Sequence, residues 1–424
     1  MLQGMNQAVH VTGDLRRRLL FTLLMFLIFR LGVWIPVPGV DAATLQTALQ
    51  TSQVSLFGLL NLFSGGAFFT FSIFAMSIFP YINASIIMQL LTTVIPSLEE
   101  LSKEGQEGQK KITQYTRYLT VALALIQSFG TTITLSRLAG VVKTPGLGTI
   151  VIIALTLTVG SVLLMWIGEL ITEYGIGNGI SLIIVAGIVA QLPGGVGTLF
   201  SYLQAGTVSI FSVLFLVVVG AAVIAGVVAF TEAERRIPVQ YAKRMVGRKM
   251  YQGTTTHLPL KMNPAGVIPV IFAIALLILP QTLSSYWNNA VLHTIVAAIA
   301  FGQPLNLVLQ FCLVVAFTFF YTFIVFKPDD VADNLKKYGG FIPGIRPGKP
   351  TAEYLTRVAS RLVVMGALFL GVIAIMPTLM VGLTNIPNIY FGGTALLIVV
   401  MVTVETIKQI QAQLIMRNYQ GFLR

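Results

Sequence analysis

The chain has 424 residues, of which 55% are hydrophobic and only 10% charged, with a mean hydropathy of +0.84. Soluble domains carry about 25% charged residues, so a water-soluble globular protein is excluded. The net charge of +12 has to be explained by where the basic residues lie.

The N-terminal stretch DLRRRLLFTLLMFLIFRLGVWIPVPG sets Arg16, Arg17 and Arg18 before an apolar run. No small-residue cleavage site follows and Arg30 interrupts the run, so the stretch reads as a retained first helix rather than a signal peptide. Apolar segments follow at 73–95, 114–136, 149–171, 180–192, 208–230, 265–286, 304–326, 362–383 and 391–416, the first covering 19–36. A helix needs about 20 residues to cross ~30 Å of hydrocarbon, and ISLIIVAGIVAQL at 180–192 is short for that.

Charge resolves the doubt. If 180–192 crosses, every Lys and Arg outside the spans except Arg137 and Lys143 falls on one side. If it does not cross, the basic clusters are divided between the two sides. The positive-inside rule favours the first arrangement. The prediction is an all-α membrane protein of ten transmembrane helices with both termini in the cytoplasm. Five crossings on each side of residue 200 make two halves of opposite orientation, and inverted repeats place a pathway at their interface. The expected organisation is a cytoplasmic segment 1–18, a first half 19–192, an external linker 193–207, a second half 208–416 and a tail 417–424. The second half carries long basic loops at 231–261 and 327–361.

One segment does not fit a simple span. VSLFGLLNLFS, residues 54–64, would reach ~16 Å as a helix, about half the hydrocarbon thickness. Gly65-Gly66 then frees the chain to turn before a full-length apolar run begins. The segment is either an external connector resting on the bundle or a half-inserted stopper that swings on its glycines. Ile78 and Ile82 share one helix face, as do Ile271 and Ala275. Side chains so spaced either pack against lipid and neighbouring helices or form a narrow apolar collar that excludes water and ions by dewetting.

Several long motifs carry a resemblance. FSGG…SIFAMSIFPYINASIIMQLL, LSKEGQEGQKKITQYTRY, ITEYGIGNGISLII, RRIPVQYAKR, THLPLKMNPAGVIPVIF, YGGFIPGIRPG and FGGTALLIVV closely resemble the bacterial SecY family, the channel subunit of the Sec protein translocon. The match runs from about residue 15 to the C-terminus. The resemblance implies a protein-conducting channel of the bacterial inner membrane. Such a channel passes unfolded secretory chains across and releases transmembrane segments sideways into lipid. Residues at about 57–70 match the family's mobile plug, which places Phe57, Leu60, Asn61, Phe63, Ser64, Gly65 and Gly66 in it. Ile78, Ile82, Ile184, Ile271 and Ile398 match the apolar pore ring, and a sixth ring position falls on the smaller Ala275. Gln89, Gln127 and Asn178 match polar positions near the lateral gate between spans two, three, seven and eight. Buried amides between membrane helices contribute roughly 0.6–2 kcal/mol each, enough to bias closure and weak enough to part.

The loop EAERRIPVQYAKRMVGRKMYQGTTTHLPLKMN is strongly basic, and Pro343-Gly344-Ile345-Arg346-Pro347-Gly348 holds an arginine on a stiff turn. Positive charge alone retains loops in the cytoplasm, and projecting basic loops also suit ribosomal RNA or an acidic protein surface. The resemblance implies the ribosome and the SecA motor ATPase as partners, with Arg346 matching the position tied to motor-driven transport. Arg248 and Lys249 match a basic pair in the other loop. SecE, with SecG, signal peptides, nascent chains and membrane lipid complete the implied partners.

No enzyme chemistry is legible. GQEGQK lacks the spacing and the Ser or Thr of a phosphate loop, and GIGNG lacks the preceding strand. His10, His257 and His293 have no metal-ligand spacing, and Cys312 is the sole cysteine, so no intrachain disulfide forms. The sequence predicts no catalytic residues, no cofactor and no metal. The rival reading is a secondary transporter of a small solute, which shares inverted repeats and broken helices. Transporters place ionisable groups at mid-membrane, and these spans offer little beyond Arg30 and Glu405, near helix ends or interfaces.

Overall fold

The computed structural model describes residues 13–51, 55–137, 140–144, 146–241, 244–246, 249–251, 255–284, 294, 296–300, 303–384 and 393–421. Among these, ten helices have 16 residues or more, one for each predicted span. The first half begins with α1 (Gly13–Val33), followed by two short helices, α2 (Ala42–Thr51) and α3 (Ser55–Phe63). It continues with α4 (Phe79–Val94), the short α5 (Pro96–Lys103), α6 (Gln106–Ser136), α7 (Leu147–Tyr174) and α8 (Gly179–Gln204). The second half comprises α9 (Ile210–Glu232), α10 (Ile268–Ser284), α11 (Pro304–Val325), the short α12 (Pro328–Lys337), α13 (Lys349–Thr384) and α14 (Gly393–Gly421). Seven of the described helices are long and apolar enough to cross a membrane by themselves. The other three fall short for visible reasons: α1 carries four arginines, and α4 and α10 have only 16 and 17 residues.

Leu19, Leu20, Leu23, Leu24 and Leu27 of α1 are exposed, whereas Met25, Phe29 and Val33 are buried. That pattern is the one expected of a helix with lipid on one side and protein on the other. Close helix contacts are made where side chains are absent. A β-carbon on Gly160 would overlap the Ile73 carbonyl, and one on Gly179 would overlap the Gly168 carbonyl.

Several boundaries differ from the sequence reading. The second span is helical only from Phe79, because residues 65–78 run in turns with Phe71 (φ 44°) and Ser77 (φ 51°) in the left-handed region. Its other end bends by 99° into α5 at Ile95-Pro96, where proline disfavours helical backbone in the residue before it. The fifth span does not stop at 192: α8 continues through Pro193 to Gln204, so most of the 193–207 linker is helix. Proline removes one hydrogen bond, the one to the Val189 carbonyl, and the helix tolerates that loss. In the second half, α12 and the first turns of α13 occupy much of 327–361, and α14 continues past 416 to Gly421.

Each half packs around its own helices. In the first, α6 lies against α4 and α7, α7 against α8, and α1 against α7 and α8. In the second, α11 lies against α10 and α13, and α14 against α9 and α13. The halves meet along two seams, α10 against α4 and α6 on one side, and α8 against α14 on the other. In both halves the second long helix begins after a run of turns, 65–78 before α4 and 264–267 before α10.

The two basic loops form one structure. Strand β1 (Glu234–Tyr241) pairs antiparallel with β4 (Thr255–Lys261), and β2 (Arg244–Val246) pairs with β3 (Lys249–Tyr251). Strand β5 (Gly340–Phe341), from the loop that follows α11, pairs antiparallel with the end of β1. Ile237, Val239 and Leu260 of the sheet are buried with Ile342, Leu355 and Val358, which fastens one loop to the other.

Candidate pore and plug

A narrow cavity lies between the halves, walled by Phe63 of α3, Ser77, Ile78, Phe79 and Ile82 at the start of α4, Ile184 of α8, and Ile271 and Ile274 of α10. Seven of these eight side chains are apolar, so the waist offers water almost no hydrogen-bonding partner. The sequence-predicted residues Ile78, Ile82, Ile184 and Ile271 are thus brought to one wall from three helices. Ala275 and Ile398 are buried in the same core but do not line the cavity. Ile274 does line it and was missed in the sequence, although it lies three residues after Ile271 on one helix face. Ser77 was missed as well, because a left-handed serine has no reliable sequence signature. Its hydroxyl donates to the Phe63 carbonyl at 3.3 Å.

The short helix α3 has 9 residues and spans ~14 Å. It packs against α8 and ends at the cavity, where Phe63 meets Phe79 edge to face with ring centres 5.7 Å apart. Leu62, Phe63 and Ser64 are buried and Leu60 packs on the core. The turn after α3 is held by its own polar side chains. The Phe69 amide donates to the Asn61 side-chain oxygen at 2.9 Å, and the Phe68 amide to the Ser64 hydroxyl at 3.2 Å. Gly65 (φ 68°) and Gly66 (φ 95°) adopt the left-handed backbone that glycine takes readily. Phe57 lies within α3, and its side chain is outside the described residues.

Helices α4 and α6, which carry Gln89 and Gln127, are the two that meet α10 of the opposite half. Gln89 donates from Nε2 to the Ser85 hydroxyl at 3.3 Å, while its Oε1 is buried without a hydrogen-bond partner among the described residues. Gln127 is buried on α6. Asn178 stands elsewhere: it is the N-cap of α8, and its side-chain oxygen accepts from the Ser181 amide at 3.1 Å. That helix belongs to the opposite seam, where it meets α14. The sequence motif reveals the asparagine but not that a helix start consumes its oxygen.

After β5, Arg346 is exposed on a turn between Gly344 (φ 80°) and Gly348 (φ 101°). The Thr351 hydroxyl donates to the Arg346 carbonyl at 2.8 Å, anchoring the turn on the start of α13 while the guanidinium projects. Lys249 opens β3, and Arg248 lies outside the described residues.

The chain's two halves enclose a narrow apolar cavity with a half-length helix seated against it, and its kinship with protein translocase subunits makes it a channel of the protein-conducting class. A family profile described as SecY matches residues 72–407. A relative from Streptomyces galbus, "Protein translocase subunit SecY", is 48% identical over 97% of this chain and 98% of its own. The chain belongs to the SecY family.

Solved structures agree on the fold. One is a channel whose SecY plug domain is described as stabilising the closed state, with a TM-score of 0.65 at 18% identity, covering 95% of this chain and 93% of that one. Another is Sec61 in the canine ribosome–channel complex, with a TM-score of 0.62 at 18% identity and the same coverage.

Proposed function

We propose that this chain is a protein-conducting channel that passes unfolded polypeptides through the waist between its halves and releases apolar segments sideways into lipid. The observation that carries the reading is the convergence of isoleucines from α4, α8 and α10 on a cavity that α3 abuts. A translocating chain presents every kind of side chain, so a lining that formed specific hydrogen bonds would stall on some sequences. A flexible apolar collar adapts weakly to all of them and resists ion flow by dewetting.

In this reading α3 and the turn to Gly66 are the plug, and Ile78, Ile82, Ile184, Ile271 and Ile274 form the collar, with Ala275 and Ile398 packed behind it. The lateral exit is the seam of α10 with α4 and α6, near Gln89 and Gln127. Both termini and the β-sheet lie in the cytoplasm of a bacterial cell, the chain spanning the inner membrane. The basic loops, with Arg346, Arg248 and Lys249, engage the ribosome or a SecA motor, and SecE with SecG accompanies the chain. Transport energy comes from those partners, and the chain is not an enzyme.

The test is a cysteine at residue 82 in a chain whose Cys312 is replaced by serine. It is expected to crosslink to a stalled secretory polypeptide, whereas a cysteine at the exposed Val217 is not. Equal crosslinking at both positions would remove the pathway from the waist.

A further inference from the structure

The side chain of Arg30 lies outside everything assigned so far. It interrupts the apolar run of α1 near its outer end, is partly buried, and cannot shed its charge. An ionised group inside a span is costly and persists where something holds it. Two partners hold this one. The Trp34 ring lies 5.8 Å from the guanidinium carbon, and Nη1 donates to the Gly65 carbonyl at 2.9 Å.

Gly65 is the first of the two hinge glycines. It lies two residues past the end of α3, beside the last carbonyls of the helix, whose partial negative charge favours a nearby cation. The Leu62 carbonyl accepts from the Gly65 amide at 3.2 Å and the Asn61 carbonyl from the Gly66 amide at 2.9 Å, both local bonds that travel with α3. Ser77 reaches the Phe63 carbonyl from the connector to α4. The Arg30 bond differs from all of these because it comes from another membrane helix, carries a full charge, and grips the residue about which α3 would swing.

We propose that Arg30 is the latch of the plug, a positioning residue that ties the hinge of α3 to α1 and sets how often the plug leaves its seat. This rests on the pore-and-plug reading above. Hydrogen bonds to charged groups are roughly twice as strong as neutral ones, so losing this one is expected to raise the open population about tenfold.

The experiment measures hydrogen exchange of residues 55–66 in the full chain with its co-purifying subunits, alongside single-channel conductance without a client. Peptides from α7 report the integrity of the fold. In R30M, exchange at 55–66 is expected to rise about tenfold with α7 unchanged, and spontaneous openings are expected to increase. R30K keeps the charge but loses the planar fork, and an intermediate rate is expected.

Unchanged protection at 55–66 in R30M overturns the proposal. So does equal loosening of the plug and α7 in both variants, which would make the arginine merely structural. Deletion of residues 57–70 separates the two readings. If the deletion leaks and R30M does not, the latch is wrong and the plug stands; if the deletion does not leak, the plug reading itself falls.

Discussion

Gly187 of α8 and Gly65 after α3 meet backbone to backbone. A β-carbon on Gly187 would stand 2.8 Å from the Phe63 carbonyl oxygen and 3.1 Å from the Gly65 nitrogen. The short helix is therefore seated on a notch in a long one, and the notch exists because neither residue has a side chain. Gly187→Ala fills it with a methyl group that the rigid α8 cannot withdraw. The seat is expected to weaken by about 1–3 kcal/mol, the scale of overpacking, read as earlier thermal unfolding and as higher resting conductance.

The waist makes a graded prediction. Ile82→Gly removes a cavity-lining side chain and is expected to raise ion leak through reconstituted protein. Ile82→Leu conserves volume and should stay close to the parent. Ile398→Ala removes bulk from behind the wall, so it should cost stability on the order of 2–5 kcal/mol with a smaller leak. Leak that follows burial rather than position on the cavity wall would contradict the collar.

Arg346→Glu reverses a charge on a turn whose backbone is held by Thr351, so the turn itself should persist. Motor-dependent export is expected to fall further than ribosome-coupled insertion, measured in parallel with vesicles. Equal loss of both would take away the reason for distinguishing this arginine.

Gly160 tests the packing of the first half. A β-carbon there would collide with the backbone carbonyl of Ile73, in the turns that lead into α4. Gly160→Ala is expected to destabilise by at least 1–3 kcal/mol, roughly, and to lower the yield of folded protein. Gly197→Ala on α8 meets nothing within 4 Å, and replacing a helical glycine there should be neutral or stabilising by about 0.5–1 kcal/mol. The pair is read by thermal unfolding in the same detergent.

The number of spans, their order and the opposite orientation of the halves were legible in the chain itself. Apolar length and the placement of lysine and arginine are one-dimensional quantities that a bilayer reads directly. The family motifs likewise pointed to Ile78, Ile82, Ile184 and Ile271. Other features depended on three-dimensional packing. Pro193 suggests the end of a helix, yet the helix continues, because a proline removes only one of its hydrogen bonds. Residues 65–78 are as apolar as a span, yet they turn, because the left-handed backbone at Phe71 and Ser77 is held by contacts no local pattern encodes. Asn178 reads as a seam residue and proves to be a helix cap. The two basic loops appear independent until β5 pairs with β1.

Composition and charge order thus determined a ten-span membrane protein, since solvation acts on each residue wherever it later packs. Only the folded chain decided that isoleucines from three helices share one wall, and that Arg30 reaches the Gly65 carbonyl. Those contacts join residues dozens of positions apart, as does the close approach of α3 to α8 that glycine permits at Gly65 and Gly187.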